Sequence, residues 1–180
     1  DVFRIVYTGN YSRKFNDLDL FFKSMKEFIN NQTDGIRPIK IIFVGTPQSN
    51  LLQKKIRQYN IEKYCFFLKK MPNREVKKIQ KSASLLLHLA WTDPDQKGIL
   101  SGKIFEYISA QRPILSIGFD QELAELISTY NGKMLQKQSE VTEFLENLYH
   151  NPKTIKSTSN KSSMISKENQ FKKLEKIISQ

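Results

Sequence analysis

A doubly wound, mostly parallel α/β sheet with helices on both faces is the fold this sequence predicts, on three observations. Short β-branched or apolar runs alternate with amphipathic stripes from one end of the chain to the other. The segments between consecutive runs are too long for hairpins, so neighbouring strands run parallel through crossover helices. The stretch Ser84-Leu-Leu-Leu-His-Leu89 is continuously apolar rather than alternating, as in a strand covered on both faces.

The elements follow in order. Phe3–Thr8 is rich in β-branched and aromatic residues and stops at Gly9, which makes it the first strand. Leu18, Phe21, Phe22, Met25, Phe28 and Ile29 recur at helical spacing, so a helix starts there with Asn16 or Asp17 as its cap. Asp34-Gly35 punctuates, and Ile39–Val44 is the second strand, closed by Gly45. Asn50–Gln58 is a helix and Cys65–Leu68 a short strand. Pro72-Asn73 opens a helix that turns Val76, Ile79 and Ala83 inward. After the strand at 84–89, a Gly-bearing loop (Lys97-Gly-Ile-Leu-Ser-Gly102) enters a short amphipathic helix. Phe105 and Ile108 are its expected buried anchors, and Pro113 stops it. Residues 113–117 read as a buried strand. Asp120 caps a helix with Leu123, Leu126, Ile127 and Tyr130 inward, Gly132–Leu135 is a short edge strand, and residues 139–149 form a helix. Residues 1–150 thus make one Rossmann-like domain. Residues 151–163 are a polar connector, and a terminal helix uses Phe171, Leu174 and Ile178, so 151–180 stands apart.

The 180 residues suffice for one domain with a real core. No apolar run approaches the ~18 residues of a membrane span. Cys65 is the only cysteine, which excludes an intrachain disulfide and fits a reducing cytoplasm. The chain opens on Asp1-Val-Phe-Arg with neither an initiator Met nor a signal peptide, and is expected to be a piece of a longer protein. The net charge of +11 comes from lysines spread along the length. Solvated helix faces account for such a spread; attraction to anionic substrates or acidic lipid headgroups is the functional alternative. No zinc-finger, recognition-helix or RNP-type pattern is present, so no nucleic-acid partner is expected.

In a sheet of this kind ligands bind at the carboxyl ends of the strands, beside the point where strand order reverses. Residues 9–14, 45–49, 68–71, 88–101 and 118–120 land there. A glycine-bearing turn running into a helix offers free N–H groups and the positive end of a helix dipole, which suits a phosphate. Glu106 sits one turn further in, so its carboxylate can reach a sugar hydroxyl beside that phosphate. Lys103 and Glu106 are three apart and share a face. The combination points to a nucleotide diphosphate. The plainer alternative pairs Lys103 with Glu106 on a solvated face, and leaves Arg13 and Lys14 as ordinary loop charges. His88, inside an apolar strand, reads as a hydrogen-bonded core residue. His150 lies near a helix end, and no metal site is expected. Trp91 reads as packing at the sheet edge, and Asp93 and Asp95 flank Pro94 in a turn.

The run Ser101-Gly-Lys-Ile-Phe-Glu-Tyr-Ile-Ser-Ala-Gln-Arg-Pro-Ile-Leu115 resembles a family signature of small residue, Lys, hydrophobic pair, Glu-Tyr, small residue and Arg/Lys-Pro. That signature belongs to the C-terminal, donor-binding domain of bacterial GT-B glycosyltransferases, which have two facing Rossmann-like domains. The group-1 enzymes of exopolysaccharide, capsule and O-antigen synthesis are the most similar. Ile5-Val-Tyr-Thr-Gly-Asn10 is similar to the opening strand and glycine turn of that domain, and Ile41-Ile-Phe-Val-Gly45 to its second strand. Phe66-Phe-Leu68, followed by Met71-Pro72, resembles the segment lining the nucleotide base.

The resemblance implies a role for each matched position. Glu106 would accept hydrogen bonds from the ribose hydroxyls. Backbone groups of Ile99, Leu100 and Ser101, with Gly9 and Gly98 in the flanking turns, would cradle the diphosphate or the donor sugar, and Lys103 would contact phosphate. Arg13 and Lys14 would act in catalysis by neutralising the diphosphate leaving group. Lys69 and Lys70 would border the base pocket. Many relatives carry a second glutamate eight residues before the ribose-binding one; here that position is Gly98, so the sugar contact falls to backbone, to Asp93 or Asp95, or to another domain. The implied activity is hexosyl transfer from a nucleotide-diphosphate sugar to a carbohydrate or lipid-linked acceptor, retention being the commoner outcome, with no cofactor besides the donor. A missing N-terminal domain would bind the acceptor, leaving the fragment inactive alone. The implied location is cytoplasmic, with peripheral contact to the anionic inner face of the plasma membrane. The alternative is a non-catalytic α/β regulatory module that binds a nucleotide or anion; the sequence preceding Asp1 separates the two.

Overall fold

The computed structural model describes residues 1–11, 18–32, 35, 37–90 and 101–151. Six strands, β1 (Phe3–Thr8), β2 (Ile39–Val44), β3 (Cys65–Leu68), β4 (Leu85–Leu89), β5 (Ile114–Ile117) and β6 (Gly132–Leu135), form one sheet in the order β3-β2-β1-β4-β5-β6. Every neighbouring pair is parallel, from Phe3 opposite Ile39 to Ile117 opposite Leu135. Helices α1 (Asp19–Asn31), α2 (Asn50–Gln58), α3 (Asn73–Lys81), α4 (Gly102–Ala110), α5 (Gln121–Ser128) and α6 (Gln138–His150) connect or follow the strands. The predicted doubly wound α/β sheet is the observed one.

The period of two along each strand divides the core. Phe3, Ile5 and Tyr7 of β1 join Ile41, Phe43, Leu85, Leu87 and Leu115 beneath α1, α2 and α6. Val6, Val44, Leu86 and Ile114 face the other way, toward Ile104, Tyr107 and Ile108 of α4 and Leu123 and Ile127 of α5. Strand order reverses between β1 and β4, and there the crossovers move from one face to the other. That crevice is where such sheets take ligands.

Several details depart from the sequence reading. The residue at the N-cap of α1 is Leu18, with no side-chain bond; Asn16 and Asp17, the expected caps, lie outside the described residues. Helix α6 is one residue longer at each end than the expected 139–149. Phe105 is only partly buried, and Ile104, Tyr107 and Ile108 form the buried face of α4 instead. The phase of the helix decides this, since 104, 107 and 108 fall at i, i+3 and i+4. Gln111, at φ 55°, ends α4 in the left-handed conformation before Pro113 is reached. The terminal helix and the connector beyond Asn151 lie outside the described residues. No described helix is long and apolar enough to cross a membrane.

Candidate functional site

At the end of β1 the chain turns at Gly9, whose φ of +94° is costly for any residue with a Cβ. The turn is tied to the neighbouring strand. Gly9 N–H donates to the Val44 carbonyl at 2.9 Å, and the Gly9 carbonyl accepts from Thr46 Oγ1 at 2.6 Å. A Cβ on Gly9 would stand 3.4 Å from Lys103 Cε and 3.6 Å from its Nζ. The missing side chain therefore leaves the space that Lys103 enters.

Lys103 reaches across from the first turn of α4 and sets its Nζ 4.2 Å from the centroid of the Tyr7 ring. Burial pulls its pKa down to about 8, against the opposing pull of the Glu106 charge. Lys103 and Glu106 share a face as expected, but among the described residues their charged atoms form no ion pair.

Glu106 receives a different partner. The amide nitrogen of Gln80, from α3, lies 3.4 Å from Glu106 Oε2 and 3.4 Å from Thr8 Oγ1. Thr8 in turn donates twice to the Tyr107 hydroxyl oxygen, from its N–H at 3.0 Å and from Oγ1 at 3.3 Å. Burial pushes the Tyr107 phenol up to about 12, so it stays protonated. This buried chain joins the end of β1, the end of α3 and the middle of α4.

Ser101 occupies the N-cap of α4, and its hydroxyl makes no bond to the helix's own amides. It lies instead 3.5 Å from His88 Nε2, while His88 Nδ1 sits 2.9 Å from Ser116 Oγ. Burial, reinforced by the Lys103 charge, brings His88 down to about 3 and keeps it neutral. His88 is thus a hydrogen-bonded core residue, as its setting in the sequence suggested.

Lys69 and Lys70 follow β3 and are exposed. With Asn10, Gly45, Thr46, Pro47, Gln48, Phe67 and Leu68 they line a concavity of about 400 Å³ beside the Gly9 turn. Gly9, Ser101, Lys103 and Glu106 are therefore gathered around one crevice, with Lys69 and Lys70 on the adjoining concavity. Arg13, Lys14, Gly98, Ile99 and Leu100, together with Trp91, Asp93 and Asp95, lie outside the described residues. Thr8, Gln80 and Tyr107 were missed. Gln80 carried a signal, because it sits at i+4 from Val76 on the stripe that includes Ile79 and Ala83, where an apolar residue is expected.

Residues 2–151 match the family model for glycosyl transferases group 1. The chain belongs to that family. No curated protein matches this group 1 chain in sequence. Its fold recurs in solved structures. HepE of Anabaena, in complex with UDP, superposes with a TM-score of 0.72 at 15% identity over 99% of this chain and 49% of HepE. The C-terminal domain of LpcC, a glycosyl transferase group 1 protein of Francisella tularensis, gives 0.64 at 11% identity over 91% of this chain and 83% of that one. The pneumococcal O-GlcNAc transferase GtfA, in complex with UDP and GlcNAc, gives 0.63 at 13% identity over 99% and 36%. This group 1 domain spans about half the length of HepE.

Proposed function

We propose that this domain binds a nucleotide-diphosphate sugar in the crevice between the carboxyl ends of β1 and β4. It would serve as the donor half of a glycosyltransferase that passes the sugar to a carbohydrate or lipid-linked acceptor. One observation carries the reading: the Lys103 ammonium is held in a desolvated position over Tyr7, against the Gly9 turn, one helical turn from the Glu106 carboxylate. A cation lacking an ion-pair partner among the described residues suits a polyanion, and a carboxylate beside it suits the two neighbouring hydroxyls of a ribose.

In this reading Gly9, Gly98, Ile99, Leu100 and Ser101 supply backbone around the diphosphate and the sugar. Lys103, Arg13 and Lys14 stabilise the charge that develops on the departing phosphate oxygen as its bond to the anomeric carbon breaks, so no metal is invoked. Lys69 and Lys70 border the base. The UDP and UDP-glucose complexes of HepE support uracil as the first base to test. A second domain would carry the acceptor, and polysaccharide assembly in a bacterial cytoplasm is the setting we infer. The net charge of +11 would favour the anionic inner face of the membrane, where a lipid-linked acceptor resides.

Amide and methyl shifts during titration with UDP and GDP test the site. Gly9, Lys70, Ser101 and Glu106 should respond together to one of the two. Glu106→Ala should weaken that nucleotide by about tenfold or more without unfolding the domain. Shifts confined to scattered surface lysines would replace the site with unspecific charge attraction.

A further inference from the structure

Helix α3 is exposed along most of its length, and its one fully buried side chain is a glutamine. The Gln80 amide nitrogen lies 3.4 Å from Glu106 Oε2, while its Oε1 is buried with no hydrogen-bond partner among the described residues. The orientation follows from the chemistry. An ionised carboxylate only accepts, so the NH2 group must face Glu106, and the amide oxygen is left without a donor among the described residues. A buried acceptor without a partner lowers stability, and Met or Leu would fill similar space without that cost. The backbone around Gln80 is pinned as well. Arg112 Nε, just past α4, donates to the carbonyl of the adjacent Lys81 at 2.6 Å and fixes the end of α3 against the end of α4.

We propose that Gln80 is a positioning residue: its amide aims the Glu106 carboxylate at the ribose hydroxyls and so sets the affinity for the nucleotide. The proposal rests on the reading above in which Glu106 holds the ribose. Gln80 touches no ligand and works through Glu106, from the helix that begins two residues after Met71 and the base-side concavity. Thr8 accepts the other amide hydrogen, so the carboxylate's position is referred to the end of β1, beside the Gly9 turn.

Calorimetry on the full chain with UDP and with 2′,3′-dideoxy-UDP, which lacks both hydroxyls, separates the two claims. Gln80→Met should bind UDP about three- to tenfold more weakly, since it loses one hydrogen bond to a charged group, and bind the dideoxy compound as the wild type does. Its melting temperature should be unchanged or higher. In a Glu106→Ala background the same substitution should add nothing, because the amide then has no carboxylate to aim. Gln80→Asn, which withdraws the amide by one methylene, should show the same selective loss, and covers the case in which Met fails to fold. Equal weakening of both ligands, or no weakening, would overturn the role of Gln80. If Glu106→Ala itself fails to distinguish UDP from the dideoxy compound, or the wild type binds neither, the ribose reading falls and Gln80's role falls with it. If Glu106→Ala distinguishes them and neither Gln80 variant does, only the Gln80 assignment is lost.

Discussion

The two faces of the sheet bury their polar groups for different ends. Beneath α1, α2 and α6 an aliphatic core is studded with rings: Phe28 and Tyr149 meet edge-on at 5.4 Å, Phe3 and Tyr149 at 5.5 Å, and Phe43 stacks on Phe67 at 5.0 Å. Polar groups on this face fasten the chain to itself. Arg37 lies 4.9 Å from the Phe3 and Tyr149 ring centroids and donates to the Leu148 and Tyr149 carbonyls, Lys55 pairs with Asp19, and Ser24 donates to the Leu20 carbonyl. The face under α3, α4 and α5 packs mainly aliphatic side chains. Its polar groups, Thr8, Gln80, Tyr107, His88 and Ser116, join elements that border the crevice. The ring-rich face stabilises, and the other holds polar groups at fixed positions around the crevice. A substitution should therefore report on stability or on binding according to the face it strikes.

The largest effect tests the ring-rich face. Phe28 is fully buried between Phe3 and Tyr149. Phe28→Ala should remove about 3–5 kcal/mol in a urea or guanidinium unfolding curve, from lost burial and the cavity left behind. The molecules that remain folded should bind nucleotide with wild-type affinity. A parallel fall in affinity would mean that the two faces are not separable.

An intermediate effect belongs to the other face and to acid. His88 titrates near 3 in the folded chain against an ordinary 6.5, because burial and the nearby Lys103 charge disfavour the imidazolium. The unfolded chain therefore binds the proton first. The stability contributed by neutral His88 is full above about pH 6.5 and is lost progressively as pH falls toward 3, by about 1 kcal/mol over the first unit below 6.5. His88→Asn, which can still reach Ser116, should remove that slope between pH 7 and 5. Parallel stability profiles for wild type and variant would show that the slope has another source.

How far the sequence could be read depends on whether a feature is local. Phe3–Thr8, Ile39–Val44, Asn50–Gln58, Cys65–Leu68 and Gly132–Leu135 emerge with the bounds that period and punctuation predicted. Gly9 and Gly45 end their strands at positive φ, a constraint written into the residue type itself. Ser101, Lys103 and Glu106 were legible because one short segment carries them and the topology rule places that segment at the crevice. The partners of these residues were not. Gln80 is 26 residues from Glu106, and Thr8 is 99 from Tyr107, so no spacing rule relates them. Phe105 was misjudged for a related reason. Hydrophobicity ranks Phe above Tyr for burial, yet the phase set by Ile104 and Ile108 buries Tyr107, whose hydroxyl finds Thr8 only in the folded chain.

The smallest effect sharpens the comparison at the residue where the two faces meet. Lys103 has its backbone in α4 on the polar-networked side, and its ammonium lies over Tyr7, whose ring belongs to the other core. With its pKa near 8, the ammonium is mostly charged at pH 7 and mostly neutral at pH 9. The terminal phosphate of a nucleoside diphosphate is already ionised across that range, so a change in affinity there follows the lysine. The sign is fixed: an anion favours the charged lysine, so affinity should be flat below about pH 8 and fall above it. Between pH 7 and 9 the loss should be several-fold, with about tenfold as its ceiling if the neutral lysine contributes nothing. Nucleoside, which carries no phosphate, should lack the bend near pH 8 and respond only where the ring N–H of its own base begins to ionise. Lys103→Met should bind diphosphate more weakly at pH 7 and lose the bend, while Lys103→Arg should keep its charge and stay flat to pH 9. If the wild-type and Met profiles coincide, the ammonium does not meet the anion. Its contact with Tyr7 is then packing, and the crevice must hold the diphosphate by backbone and by other cations alone.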